Sequence, residues 1–146
     1  MNEPIIDEIP GSDAELVATL VEASLPIDDL DEPNRRFFRF RGPNSLIGFI
    51  GWEEVDEGSV LLHALVVAAP HRDRGLGTLM TNWALTRLRA LGVGNVYALT
   101  MTAETLLIRL GFVRIDRGEA PPSLRRTCQF AGLCPASATL LHRSLP

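Results

Sequence analysis

The sequence predicts an α/β (α+β) fold in which a mixed sheet carries a few helices. Three observations predict it. Val60 to Val67 is the most hydrophobic run of the chain, as a central strand covered on both faces requires. Leu76, Met80, Trp83, Leu88 and Leu91 follow at helical spacing, while Asn82, Arg87 and Arg89 point elsewhere. Further strand-like runs, bounded by turn residues, stand on both sides of this pair.

The elements follow in order. Ile5 to Ile9 reads as a short strand, and a helix starts near Ser12 or Asp13 with Leu16, Leu20 and Val21 spaced for one buried face. The acidic, proline-flanked stretch Pro26 to Pro33 is a loop. Arg35 to Arg41 is a strand with Phe38 and Phe40 on the opposite parity from Arg39 and Arg41. Gly42-Pro43-Asn44 turns the chain into the mostly apolar run Leu46 to Trp52, and Glu53 to Gly58 supplies a polar hairpin turn before the central strand. Gly92 stops the long helix. Asn95 to Thr100 is a strand, and Thr102 is the expected N-cap of a short helix through Leu110. Gly111 ends that helix, Phe112 to Asp116 begins another strand, and a last strand lies near Ala138 to Arg143.

A chain of 146 residues is read as one domain, residues 1–146, able to bury a core without disulfides or metals. The longest apolar stretch, Val60 to Ala69, contains His63 and is far short of the roughly 20 residues of a membrane span. The acidic start fits neither a secretory signal nor a transit peptide, so the expectation is a cytoplasmic protein with Cys128 and Cys134 reduced. Residues 1–71 hold 4 arginines against 14 acids, and residues 72–146 hold 10 against 4. Net acidity argues against nucleic-acid binding, whereas the basic half suits a small polyphosphate ligand or is simply a solvated surface. There is no lysine, which excludes a lysine nucleophile, a Schiff base and a Walker-type phosphate loop.

The motif with chemical content is Arg72-Asp73-Arg74-Gly75-Leu76-Gly77, set between the apolar strand and the amphipathic helix. Helix N-termini present unpaired N–H groups and partial positive charge, and glycines let several amides converge on an anion. Arg72 and Arg74 can add charge-assisted hydrogen bonds of about 1.5–3 kcal/mol each. A tight turn that binds nothing is the plain alternative. A dinucleotide site fits poorly, because Met80 stands where a third small residue belongs and no acid follows at about 20 residues.

Arg72-x-x-Gly75-x-Gly77, preceded by Leu65-Val66-Val67, resembles the coenzyme A signature of the GNAT superfamily of N-acetyltransferases. Leu106 to Phe112, ending in Leu-Gly-Phe, is similar to that family's second conserved block. In the tail, Arg126 to Phe130 and Leu133 to Ala138 resemble small GNAT proteins encoded with bacterial arsenic-resistance genes. The resemblance implies a mostly antiparallel mixed sheet whose central strand pair splays, with flanking helices and acetyl-CoA in the gap. It implies acetyl transfer to a primary amine of a small molecule, which the tail would make an amino-acid-like toxic compound. A catalytically silent CoA-binding sensor is the alternative, and a homodimer stays open.

By this correspondence Leu65, Val66 and Val67 line the pantetheine arm, the Val67 amide stabilises the oxyanion, and the amides of Arg74, Gly75, Leu76, Gly77 and Thr78 hold the pyrophosphate beside Arg72. Thr102 joins the cofactor site, and no metal is called for. Attack by the amine is direct. An α-amino group with a pKa near about 8 is partly neutral at pH 7, whereas a lysine-like amine near about 10.4 costs about 4–5 kcal/mol to deprotonate.

His63 is the candidate base: histidine titrates near about pH 6.5, and strand parity puts it on a face with Leu61, Leu65 and Val67. A core histidine bonded to a backbone carbonyl is the competing reading. Glu53, or Glu54, is the next candidate. Many members of the family place Tyr four residues before the glycine of Leu-Gly-Phe as general acid; here that residue is Leu107, and the one tyrosine, Tyr97, lies in a strand. Thr102, Cys134, Ser137 or water would then protonate the thiolate. Arg39 and Arg41 could clamp a substrate carboxylate or could be solvated. Cys128 and Cys134 are too few for a metal or arsenic site and read as small buried residues.

Overall fold

The computed structural model describes residues 3–133 and 137–146. Seven strands form one sheet in the order β1-β2-β3-β4-β5-β7-β6. Strands β1 (Ile5–Ile9), β2 (Arg35–Arg41), β3 (Leu46–Asp56) and β4 (Ser59–Val67) form an antiparallel meander. Strand β5 (Asn95–Thr100) runs parallel to β4, and β7 (Thr139–Ser144) lies between β5 and β6 (Val113–Arg114), antiparallel to both. The mixed, mostly antiparallel sheet expected from the sequence is the one observed. Among the described residues no helix is long and apolar enough to cross a membrane.

Adjacent residues of β2 point to opposite faces, which sorts the two cores. On one face Phe38, Phe40, Ile50, Trp52, Val60 and Leu62 pack under helix α2 (Leu76–Ala90) through Met80, Ala84, Leu85 and Leu88. On the other, Phe37, Phe49 and Val66 pack under Leu16 and Leu20 of α1 (Ala14–Glu22). Farther along that second face, Leu61 and Leu140 meet Leu124 of the short helix α4 (Pro122–Arg125). The remaining helix, α3 (Glu104–Arg109), packs with the α2 core through Leu107.

Several local expectations are corrected. Asp13 is the N-cap of α1, its side chain accepting from the Leu16 amide at 3.0 Å, but Val21 is exposed because it falls about 140° round the helix from Leu16. Leu91 lies just past the end of α2 and is exposed; the buried stripe is Met80, Ala84 and Leu88 at spacing four, flanked by Gly77, Thr81 and Leu85. Strand β3 runs on to Asp56, so Glu53 and Glu54 are strand residues and the turn shrinks to Glu57-Gly58. Thr100, not Thr102, satisfies the start of α3: its Oγ1 accepts from the amides of Thr102 at 3.2 Å and Ala103 at 2.8 Å.

The feature that makes the site is a bulge in β4. Gly51 pairs with His63 and Phe49 with Val66, so between these pairs one residue of β3, Ile50, faces two of β4, Ala64 and Leu65. Ala64 takes a φ of 55°, the left-handed region that an alanine enters only at a cost of about 1–2 kcal/mol. The extra residue flips the parity beyond it. His63 therefore shares its face with Leu61 and Val66, while Leu65 and Val67 turn to the α2 side. The expected common face of His63 with Leu65 and Val67 is corrected accordingly.

Candidate active site

Parallel pairing of β4 with β5 stops at Leu61 opposite Tyr97, three residues before the bulge. Beyond that point the strands diverge, and a cavity of about 600 Å³ opens between Leu62–Leu65 and Ala98–Thr100. It passes from one sheet face to the other. Leu62, Leu65 and Leu107 belong to the α2 side, and Leu20, Leu30 and His63 belong to the α1 side.

The glycine turn lies at the α2 side. Gly75 has a φ of 74° and caps α2, with open space where a side chain would project. The helix ladder starts with the Leu79 amide on the Gly75 carbonyl at 3.1 Å, so the amides of Leu76, Gly77 and Thr78 precede any intrahelical acceptor. A Cβ on Gly77 would sit 2.8 Å from Leu106 Cδ1, so any other residue there would push aside the tip of that side chain on α3. Arg74 is exposed. Arg72 is tied inward: its Nε donates to the Val67 carbonyl at 2.9 Å and its Nη2 to Glu22 at the end of α1, also at 2.9 Å. Arg72 thus fixes the end of β4. Leu65 and Thr102 line the cavity; Val66 is buried under α1, and Val67 faces the start of α2.

A buried polar cluster backs the cavity on the α1 side. His63 Nε2 lies 2.9 Å from Glu53 Oε1 and His63 Nδ1 lies 2.8 Å from the Gln129 amide nitrogen. Behind them one nitrogen of Arg35, Nη2, lies 3.1 Å from Asp29 and 3.3 Å from Glu53. The side chains of His63, Asp29 and Arg35 are 1%, 2% and 4% exposed. Charges this dry survive only when mutually paired. Asp29, Glu53 and His63 offer one ligand atom each within 4.8 Å, but Arg35 already sits against both carboxylates, the place a cation would take. Asp29 Oδ1 and Arg35 Nε are buried without a partner, so the cluster is not fully satisfied.

With Gln129 donating to Nδ1, the His63 proton resides on Nε2 and is donated to Glu53, leaving the only basic lone pair on Nδ1. His63 and Gln129 both line the cavity, whereas Glu53 stands behind. Of the expected residues, then, His63 and Glu53 meet directly. Arg39 and Arg41 do not reach the cavity: Arg39 pairs with Asp13 at 3.1 Å and Arg41 with Glu15 at 2.7 Å, at the start of α1. Leu107 is buried and lines the gap. Tyr97 lies where β4 and β5 still pair, its ring 4.8 Å from His142; burial, helped by the Asp56 carboxylate, pushes its hydroxyl pKa up. Ser137 is exposed with its hydroxyl 3.6 Å from the Met101 sulfur. Cys128 is free and exposed, not buried, because Thr127 and Gln129 take the inward positions beside it; Cys134 lies outside the described residues. The sequence reading missed Asp29, Arg35 and Gln129. Only Arg35 left a signal, sharing the inward parity of Phe37 in an alternating strand.

A protein-family model, the acetyltransferase (GNAT) family, matches residues 7–112. The chain belongs to that family. No curated protein sequence matches it. Solved structures match this GNAT chain in fold: a Staphylococcus aureus GNAT acetyltransferase at 18% identity and TM-score 0.77, covering 97% of this chain and 100% of that one. The Neisseria gonorrhoeae N-acetylglutamate synthase, complexed with coenzyme A and N-acetyl-glutamate, matches at 18% identity and TM-score 0.77 over 99% of this chain and 36% of its own. A Bacillus subtilis acetyltransferase in complex with CoA matches at 15% identity and TM-score 0.73, covering 99% and 100%. The splay, the bulge and the glycine turn of this chain therefore stand in the frame of a GNAT acetyltransferase fold.

Proposed function

We propose that the whole chain is one acyl-CoA-binding domain that transfers acetyl from acetyl-CoA to a primary amine of a small molecule, in the cytoplasm. The observation that carries this reading is the cavity through the β4–β5 splay, with an anion-ready helix start at one side and a histidine–carboxylate pair at the other. The Leu76, Gly77 and Thr78 amides hold the pyrophosphate, with Arg74 at the rim. The Val67 amide, at the end of a strand clamped by Arg72, faces the thioester carbonyl and stabilises its developing oxyanion.

His63 Nδ1 accepts the amine proton as nitrogen attacks the carbonyl carbon, and the incoming N–H takes the place of the Gln129 amide. Glu53 holds the opposite nitrogen and stabilises the imidazolium, as an orienting carboxylate does behind a catalytic histidine. The carbon–sulfur bond then breaks, leaving an amide and a thiolate. No tyrosine stands at Leu107, and a thiolate with a pKa of about 8.5 leaves acceptably when water supplies the proton. The tail resemblance extends the reading to acceptors that are toxic until acylated. Thiol release from acetyl-CoA across an amine panel tests it, with acetyl-CoA binding measured by calorimetry alongside. Binding without turnover for any amine would instead favour the sensor, the reading that the buried Leu107 supports.

A further inference from the structure

The α1-side chamber carries information about the acceptor that the fold does not. Its walls are hydrocarbon: Leu20, Leu25, Pro26, Leu30 and Leu133. Its polar groups are His63 and Gln129 at depth, the neutral hydroxyl residues Ser24, Thr100 and Thr102, and Asp28 in the loop after α1, the one carboxylate among the described lining residues. Among the described residues no arginine lines it, and none of the five undescribed residues, Met1, Asn2, Cys134, Pro135 and Ala136, is an arginine or a lysine. The arginines carried by the same face of β2 are committed elsewhere: Arg35 to Asp29 and Glu53, Arg39 to Asp13, Arg41 to Glu15.

Several backbone donors at the chamber wall are also taken. The Thr102 and Ala103 amides bond to Thr100 Oγ1, and those of Ala23, Ser24 and Leu25 bond to carbonyls of α1. The residues that close α1 line the chamber, so it faces the negative end of that helix dipole and Asp28 together. Such a chamber attracts a cation and rejects an anion. Desolvating a carboxylate there, with no guanidinium to receive it and Asp28 to repel it, costs more than its neighbouring hydrocarbon contacts return.

We infer that the acceptor is a primary amine on an apolar, uncharged body, and that a carboxylate beside the amine is selected against. This rests on the acetyl-transfer reading and departs from the amino-acid-like acceptor that the tail resemblance implies. The ammonium is drawn in past Asp28 and reaches His63 Nδ1 for deprotonation, while the body packs on the leucines.

The test is a set of matched pairs differing by one carboxylate: 2-phenylethylamine with phenylalanine, tryptamine with tryptophan, and 3-methylbutylamine with leucine. Acetyl-CoA consumption by the wild-type chain should show kcat/KM at least about 100-fold higher for the member without the carboxylate in each pair that turns over. The decarboxylated amine is the more basic, so proton availability works against this outcome and cannot produce it. Leu25→Arg should narrow the ratio at least about tenfold by supplying the missing cation, and Asp28→Asn should raise KM for the amines with kcat little changed. Equal or reversed preference in the wild-type chain overturns the inference and leaves acetyl transfer standing. No thiol release with any of the six compounds, with acetyl-CoA still bound, overturns both.

Discussion

The glycine turn and the His63 cluster flank the same strand and are built in opposite ways. The turn is seven consecutive residues, Arg72 to Thr78, whose proposed binding groups are backbone amides placed by a positive φ at Gly75 and a missing side chain at Gly77. The cluster is five side chains, from the loop before β2, from β2, β3 and β4, and from the π-helical turn Gln129–Leu133, with no two adjacent in sequence. A backbone site depends little on the rest of the molecule. A side-chain site this buried exists only if the whole sheet is assembled, so its members hold stability and, on the proposed mechanism, chemistry at once.

The largest effect expected from this contrast is at Arg35. Arg35→Met leaves the Asp29 and Glu53 carboxylates buried without their cation, and the loss should be about 3–5 kcal/mol in urea unfolding at pH 7. A loss under about 1 kcal/mol would mean that the cluster is wetter than its geometry shows. Next is His63→Gln, which keeps a polar side chain in the cluster but removes the base. Acetyl transfer should fall about 100-fold or more, with acetyl-CoA affinity within about twofold of wild type. Activity unchanged across pH 6–9 would remove His63 from the mechanism and leave it a structural histidine.

Legibility in the sequence follows the same division. The strand-to-helix turn at Arg72-x-x-Gly75-x-Gly77 could be read because its signal is local: glycine at position 75 suits the positive φ found there. Most strands and the long helix could be read from turn-bounded apolar runs and from Met80 and Leu88 at helical spacing, whereas the strand order has no local signal. The bulge at Ala64 could not be read, since Ala-Leu-Val-Val carries no glycine or turn residue to announce a positive φ. That single unannounced residue moved Leu65 and Val67 to the other face from His63. Asp29 looked like one more charge in an acidic loop, and Gln129 lies beyond the segment matched by the family, so nothing local connected either to a histidine 34 or 66 residues away.

Gly75→Val should show the backbone half of the contrast. Its φ of 74° is closed to a β-branched residue, so the turn must change shape and carry the amides of Leu76 to Thr78 with it. Acetyl-CoA should bind at least about tenfold more weakly by calorimetry, equivalent to about 1.4 kcal/mol. Cooperative unfolding should survive, because open space surrounds the new side chain. An unchanged dissociation constant would place the pyrophosphate elsewhere.

The smallest effect belongs to an ion pair outside both regions. Arg36 Nε and Nη2 donate to the two oxygens of Glu8 at 3.0 and 2.9 Å across β1 and β2, with the partners 34% and 49% exposed. The Arg36 hydrogen bond, against a weaker opposing effect of burial, holds the Glu8 carboxyl below the usual glutamate range. A depressed folded pKa contributes stability that is fully present above the unfolded value, near about 4.3, and is lost as pH falls through the lower folded value. Glu8→Gln should therefore destabilise by under about 1 kcal/mol at pH 7, and the difference from wild type should shrink as pH falls below about 4.3. A difference that stays constant as the medium is acidified would assign the effect to packing along the β1 edge. A loss at pH 7 approaching that of Arg35→Met would remove the distinction drawn here, since a bidentate pair in water would then match a charge cluster sealed from it.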